Sequence, residues 1–174
     1  GVTPPVPDES ELVRRALLKF EERFPGVTPS VGSVAPGRVN LMGDHVDYNL
    51  GGVLPAALPL VTVMVGGQSG DDLVTVVSMA TGIGQSEVSF PVPTPSRPLT
   101  PGGEGPHWAN YVKGVVQGYP VGPLPGICVV VVSSVPLGSG LSSSAALEVA
   151  TYCLLQGFCP DPGFSPTQRA LLCQ

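Results

Sequence analysis

Val13, Leu17, Phe20 and Phe24 recur at helical spacing behind Asp8-Glu9-Ser10-Glu11, an Asp able to cap a first turn with a Glu three residues on. The pattern predicts a helix ended by Pro25-Gly26, with Glu11 and Arg15 as an i,i+4 ion pair. β-Branched runs follow. Val31 to Ala35 predicts a short strand, and Gly37 to Asn49 a dense polar loop. Leu60 to Val65 and Leu73 to Ser78 predict two strands joined as a hairpin through Gly66-Gly67-Gln68-Ser69-Gly70. Val88 to Phe90 reads as a shorter strand before a long Pro/Gly-rich loop from Pro91 to Pro106.

The second half turns helical. Trp108 to Tyr119 predicts a helix with Trp108, Tyr111, Val112 and Val115 on one face. Ile127 to Val132 is a continuous apolar run of strand length, which predicts a central strand buried on both faces. A Gly/Ser loop follows, then a helix over Ala145 to Phe158. Ser165-Pro166-Thr167-Gln168 spells a capping box with Pro at the first helical position, and the chain reaches Gln174 with no C-cap. With Gly in place of Met at position 1, this reads as the N-terminal portion of something longer. Strands first and helices later predict an α+β fold with a mixed sheet and no internal repeat.

Composition narrows the function classes. Hydrophobic residues make 43% of the 174 positions and charged residues 12%, about half the ordinary share of charge. The 23 Gly and 21 Pro lie between apolar runs, as turns in a folded chain do. With 8 Lys+Arg and a net charge of −5, nucleic acid is excluded as the main partner, because phosphate neutralisation supplies most of that affinity. No stretch approaches the length of a spanning helix, so no membrane association is expected. Cys128, Cys153, Cys159 and Cys173 form no CxxC pair and are expected as reduced, mostly buried thiols of a cytoplasmic protein, with Cys153 in the core.

Two segments carry chemistry. In Pro136-Leu137-Gly138-Ser139-Gly140-Leu141-Ser142-Ser143-Ser144, the glycines let backbone approach a ligand, and the following helix directs free N–H groups at the same point. The Ser hydroxyls can bond phosphate oxygens or help ligate Mg²⁺. There is no Gly-Lys-Ser/Thr ending, so this is not the common P-loop, and a Gly-rich turn with Ser caps is the alternative. Gly37 to Asn49 sets Arg38, Asp44, His45, Asp47 and two Asn in a charge-poor chain. Carboxylates and amides suit sugar hydroxyls, and an Arg suits a transferring phosphoryl group. The alternatives are a solvated loop with Asx-turns, or metal ligation by Asp44, His45 and Asp47, a poor zinc set.

Taken together, Ala35-Pro36-Gly37-Arg38-Val39-Asn40-Leu41, Gly52-Val53-Leu54-Pro55, Trp108-Ala109-Asn110-Tyr111-Val112-Lys113-Gly114 and Val131 to Ser144 resemble the galactokinase family of the GHMP small-molecule kinase superfamily. The resemblance extends along nearly the whole chain. It implies a GHMP N-terminal domain over 1–174, ribosomal protein S5 domain 2-like, with helices packed on one side of the sheet. It implies ATP-dependent phosphorylation of galactose at the anomeric hydroxyl, in the cytoplasm, by a monomer or weak homodimer.

Residue by residue, the resemblance assigns Arg38 to the transferring phosphoryl group and Asp44, His45 and Asp47 to galactose hydroxyls. Gly138, Gly140, Ser142 and Ser143 fall to ATP phosphates, Ser144 to the Mg²⁺ side, and Trp108 and Tyr111 to the adenine pocket. The family pattern has Glu where this chain has Asp44, which leaves N-acetylgalactosamine as the alternative sugar. The family's general-base Asp and Mg²⁺-ligating Glu fall beyond Gln174. The 174 residues are therefore expected to be inactive alone, and a non-catalytic galactose- and ATP-binding sensor stays open. His107 has no assigned role.

Overall fold

In the computed structural model, which describes residues 7–43, 45, 49, 51–100, 102 and 105–174, helix α1 (Glu9–Arg23) starts where the sequence places it. The Asp8 carboxylate accepts from the Glu11 N–H at 2.8 Å. The buried stripe is Leu12, Ala16, Phe20 and Phe24, with the expected Val13 and Leu17 only partly buried beside it. A stripe through Ala16 admits the helix closer to its neighbours than one through Leu17. Glu11 pairs with Arg14, not Arg15: Nε and Nη2 each donate to a carboxylate oxygen at 2.8 Å, a bidentate fork that one i,i+3 pair satisfies fully.

Strands β1 (Val31–Met42), β2 (Leu54–Gln68), β3 (Leu73–Ser78), β4 (Glu87–Pro91) and β5 (Ile127–Ser133) form one sheet in the order β1-β2-β5-β3-β4. β5 runs parallel to β3, and every other pair is antiparallel, so the sheet is mixed as expected. Its apolar run sits at the centre. Cys128, Val130 and Val132 face α1, while Ile127, Val129 and Val131 pack with helices α2 (Ala109–Gly118) and α3 (Ser143–Leu155). Two buried faces leave no polar alternation to read.

Helix α4 (Pro166–Leu172) carries the predicted capping box: Ser165 Oγ accepts from the Gln168 N–H at 3.3 Å and Gln168 Oε1 from the Ser165 N–H at 2.9 Å. Leu172 packs with the α2/α3 core, so α2, α3 and α4 share one side; α1 covers the other, so the helices are not all on one side as expected, because the central strand is apolar on both faces. Among the described residues, no helix is long and apolar enough to cross a membrane.

Three local expectations give way to tertiary pairing. β2 and β3 are not a hairpin, because β5 lies between them. Gly66 and Gly67 belong to β2, where a Cβ at Gly67 would collide with the Thr28 carbonyl. The polar segment from Gly37 continues as strand to Met42, paired with the outer half of β2; an edge strand with an exposed side tolerates Arg and Asn. All four cysteines are unpaired, and Cys128 and Cys159 are buried, which pushes their thiols up; Cys153 is exposed and not core, because α3 turns it outward.

Candidate functional site

The site is built where β5 ends. Ser133 Oγ lies 2.8 Å from Thr62 Oγ1, and Ser134 Oγ accepts from the Val61 N–H at 2.9 Å, pinning the strand end to β2. From this fixed base the chain turns through Gly138 and Gly140 at φ +68° and +75°. A Cβ at either position would meet nothing within 4 Å, so both glycines border open space.

The loop enters α3 at Ser142, whose backbone is left-handed, φ 60° and ψ 43°. It is the one non-glycine at positive φ among the described residues. Its side chain does not cap α3, which overturns the reading of the Ser run as helix caps and leaves the first-turn N–H groups without a side-chain acceptor.

The start of α3 borders a cavity of about 460 Å³ lined by Trp108, Tyr111, Gly138, Gly140 and Ser142 to Ser144, every residue that the sequence assigned to nucleotide. Its size is that of a small-ligand site. Leu137 and Leu147 complete the wall and were missed; Leu137, an exposed apolar residue amid a polar loop, was the signal. Trp108 is held by its indole N–H, which donates to the Gln85 carbonyl at 2.9 Å. The buried face of α2 is Ala109, Val112, Val115 and Val116, which keeps the expected Val112 and Val115; Trp108 is partly buried against the same core and, with Tyr111, lines the cavity.

Arg38 does not line the cavity but is bonded to the loop that does. Its Nε and Nη2 donate to Ser142 Oγ at 3.1 and 2.8 Å, its Nη1 donates to Asn40 Oδ1 at 3.2 Å, and its backbone N–H donates to the Leu141 carbonyl at 3.1 Å. The approach is so tight that a Cβ at Gly37 would stand 2.8 Å from the Leu141 carbonyl oxygen. β1 and the Gly/Ser loop are therefore tightly joined.

The sugar side is less complete. Asp44 and Asp47 lie outside the described residues. His45 is exposed, its carbonyl accepts from Asn49 Nδ2 at 3.3 Å, and it does not line the cavity. Among the described residues, no group of three or more potential metal ligands comes together.

Comparisons with known proteins match both the strand and the loop of this junction. A family model described as the galactokinase galactose-binding signature matches residues 18–68, and one described as the GHMP kinases N terminal domain matches residues 110–174. Galactokinases of Bos taurus and Homo sapiens are 55% and 54% identical over 169 residues, 97% of this chain. The chain spans 42% of the length of these relatives. Among solved structures, the galactokinase of Lactococcus lactis complexed with galactose superposes with a TM-score of 0.77 at 29% identity, covering 93% of this chain and 41% of that one. The mevalonate kinase of Methanococcus jannaschii, at 17% identity and TM-score 0.67 over 86% of this chain and 46% of its own, shares the fold.

Proposed function

The chain belongs to the galactokinase family of GHMP kinases, and from that premise we propose that this protein transfers the γ-phosphoryl group of ATP to the anomeric hydroxyl of galactose. The observation that carries the reading is the Arg38–Ser142 contact, which joins the galactose-signature strand to the loop suited to phosphate. Residues 1–174 then act as a sugar- and nucleotide-binding domain.

In this reading Asp44, His45 and Asp47 hold sugar hydroxyls. The open glycine backbone of Gly138 and Gly140, the uncapped α3 N-terminus and the hydroxyls of Ser142 and Ser143 hold phosphates. The Ser144 hydroxyl, also on the cavity wall, suits the Mg²⁺ side, and the ion when bound offsets phosphate charge. Trp108 and Tyr111 flank the adenine. The Arg38 guanidinium donates to the phosphoryl oxygens as charge builds during transfer. The proton of the sugar hydroxyl falls to an Asp expected after Gln174, with a Mg²⁺-ligating Glu also there. The four unpaired thiols support a cytoplasmic setting.

The test is ADP release by the full-length protein with ATP, Mg²⁺ and either galactose or N-acetylgalactosamine. Turnover with galactose is expected, and none from residues 1–174 alone. Preference for N-acetylgalactosamine would replace the substrate. Saturable binding of both ligands without ADP release would make the protein a sensor.

A further inference from the structure

The Arg38 guanidinium donates to two neutral acceptors from different parts of the chain. Arg38 Nη1 donates to Asn40 Oδ1 at 3.2 Å, while Nε and Nη2 both reach Ser142 Oγ, at 3.1 and 2.8 Å. Arg38 and Asn40 are two apart in β1 with no register shift between them, so they stand on one face of the strand. Ser142 comes from the cavity loop, 104 positions away.

A serine hydroxyl has two acceptor lone pairs and one proton. With both lone pairs turned to Arg38, the Ser142 O–H keeps its proton to donate, and the open side of the loop is the cavity. The same oxygen can thus hold the guanidinium and donate to an anion. The left-handed backbone at Ser142, φ 60°, disfavoured for a residue with a Cβ, sets the hydroxyl there instead of over the α3 N-terminus.

We propose that Asn40 and Ser142 are positioning residues for Arg38, Asn40 fixing one edge of its plane and Ser142 making its orientation answer to phosphate in the cavity. The inference rests on the kinase reading for its effect on rate, though the positioning itself is a property of the unliganded chain. Asn40 does not line the cavity, so its loss bears on rate through Arg38 and not on ATP binding.

The experiment uses the full-length protein and two readouts. The first is the nitrogen-15 NMR signal of the Arg38 Nε–H without ligand, assigned by its disappearance in Arg38→Lys. It should stand apart from exposed arginines in the wild type and in Asn40→Asp, which keeps an acceptor. It should move toward them in Asn40→Ala, which frees one edge of the plane, and move further in Ser142→Gly, which removes the Nε–H acceptor and keeps the positive φ. The second is steady-state kinetics. Asn40→Ala should lower kcat by roughly threefold to tenfold, the worth of one hydrogen bond, at unchanged ATP affinity and wild-type Tm. That loss should vanish in an Arg38→Ala background. An Arg38 signal unmoved in both variants, or kcat losses that multiply with Arg38→Ala, would overturn the proposal. If the wild type phosphorylates no galactose, the kinase reading fails, and the Arg38 signal still decides the positioning.

Discussion

Two of the cavities among the described residues are nearly equal in size. One, about 460 Å³, opens at the Gly/Ser loop; the other, about 450 Å³, is walled by residues that include Pro93, Pro95, Val116, Tyr119, Pro123 and Leu124. The second has no charged side chain on its walls. Its Tyr119 hydroxyl donates to the Pro160 carbonyl at 3.1 Å, and burial pushes the phenol up to about 12, so this hydroxyl serves the fold. The first has none either, but the uncapped start of α3 and three serine hydroxyls border it, and Arg38 is hydrogen-bonded to one of those hydroxyls. Volume does not distinguish a site from a crevice; convergent donors do.

The sharpest break of this contrast is Arg38→Ala. In the full-length protein it should lower kcat by about 10²–10³, the usual cost of one transition-state donor, with little change in KM for galactose. Lys should rescue only in part, since an ammonium keeps the charge but loses the fork. An unchanged kcat in a variant of wild-type Tm would remove Arg38 from the chemistry. Gly140→Val comes next. Its Cβ meets no protein atom, so the damage comes from a branched side chain at φ +75° and from methyls in the space phosphates need. ATP affinity should fall about tenfold or more by calorimetry, at least 1.4 kcal/mol, with galactose affinity retained. Equal loss of both ligands would mean the loop only supports the fold.

Smaller effects sharpen the comparison from the other side. Tyr119→Phe removes one hydrogen bond at the second cavity and should cost about 0.5–1.5 kcal/mol in denaturant unfolding. ATP affinity should not move, and any change there would dissolve the distinction between the cavities. Glu148→Gln should have the least effect. Burial raises the Glu148 carboxyl above its ordinary 4.5, so the folded chain holds that proton to higher pH than the unfolded one, and stability falls as pH rises through the interval. Gln lifts this penalty. A slight gain in Tm at neutral pH should disappear below pH 4.5; a gain that persists in acid would be packing and not charge.

Much of the cavity was legible because its parts are adjacent in sequence: seven assigned nucleotide residues line it, five of them between Gly138 and Ser144. Leu147 escaped because one apolar position on a helix of good formers carries no mark of facing a ligand and not the core. Asn40 escaped because an Asn in a polar stretch reads equally as an Asx-turn, and only the strand places it beside Arg38.

Local chemistry alone determined the Asp8 cap, the Ser165 capping box, the central apolar strand and the turn at Gly138 and Gly140, each written within a few adjacent residues. Tertiary structure decided what depends on partners far along the chain. It placed β5 between β2 and β3, drew the polar end of β1 into the sheet, rotated α1 onto Leu12 and Ala16, and brought Arg38 to Ser142 across 104 positions. The physical reason is range: a cap needs an acceptor three residues away, whereas strand order and side-chain contacts follow from which global pairing buries the most apolar surface.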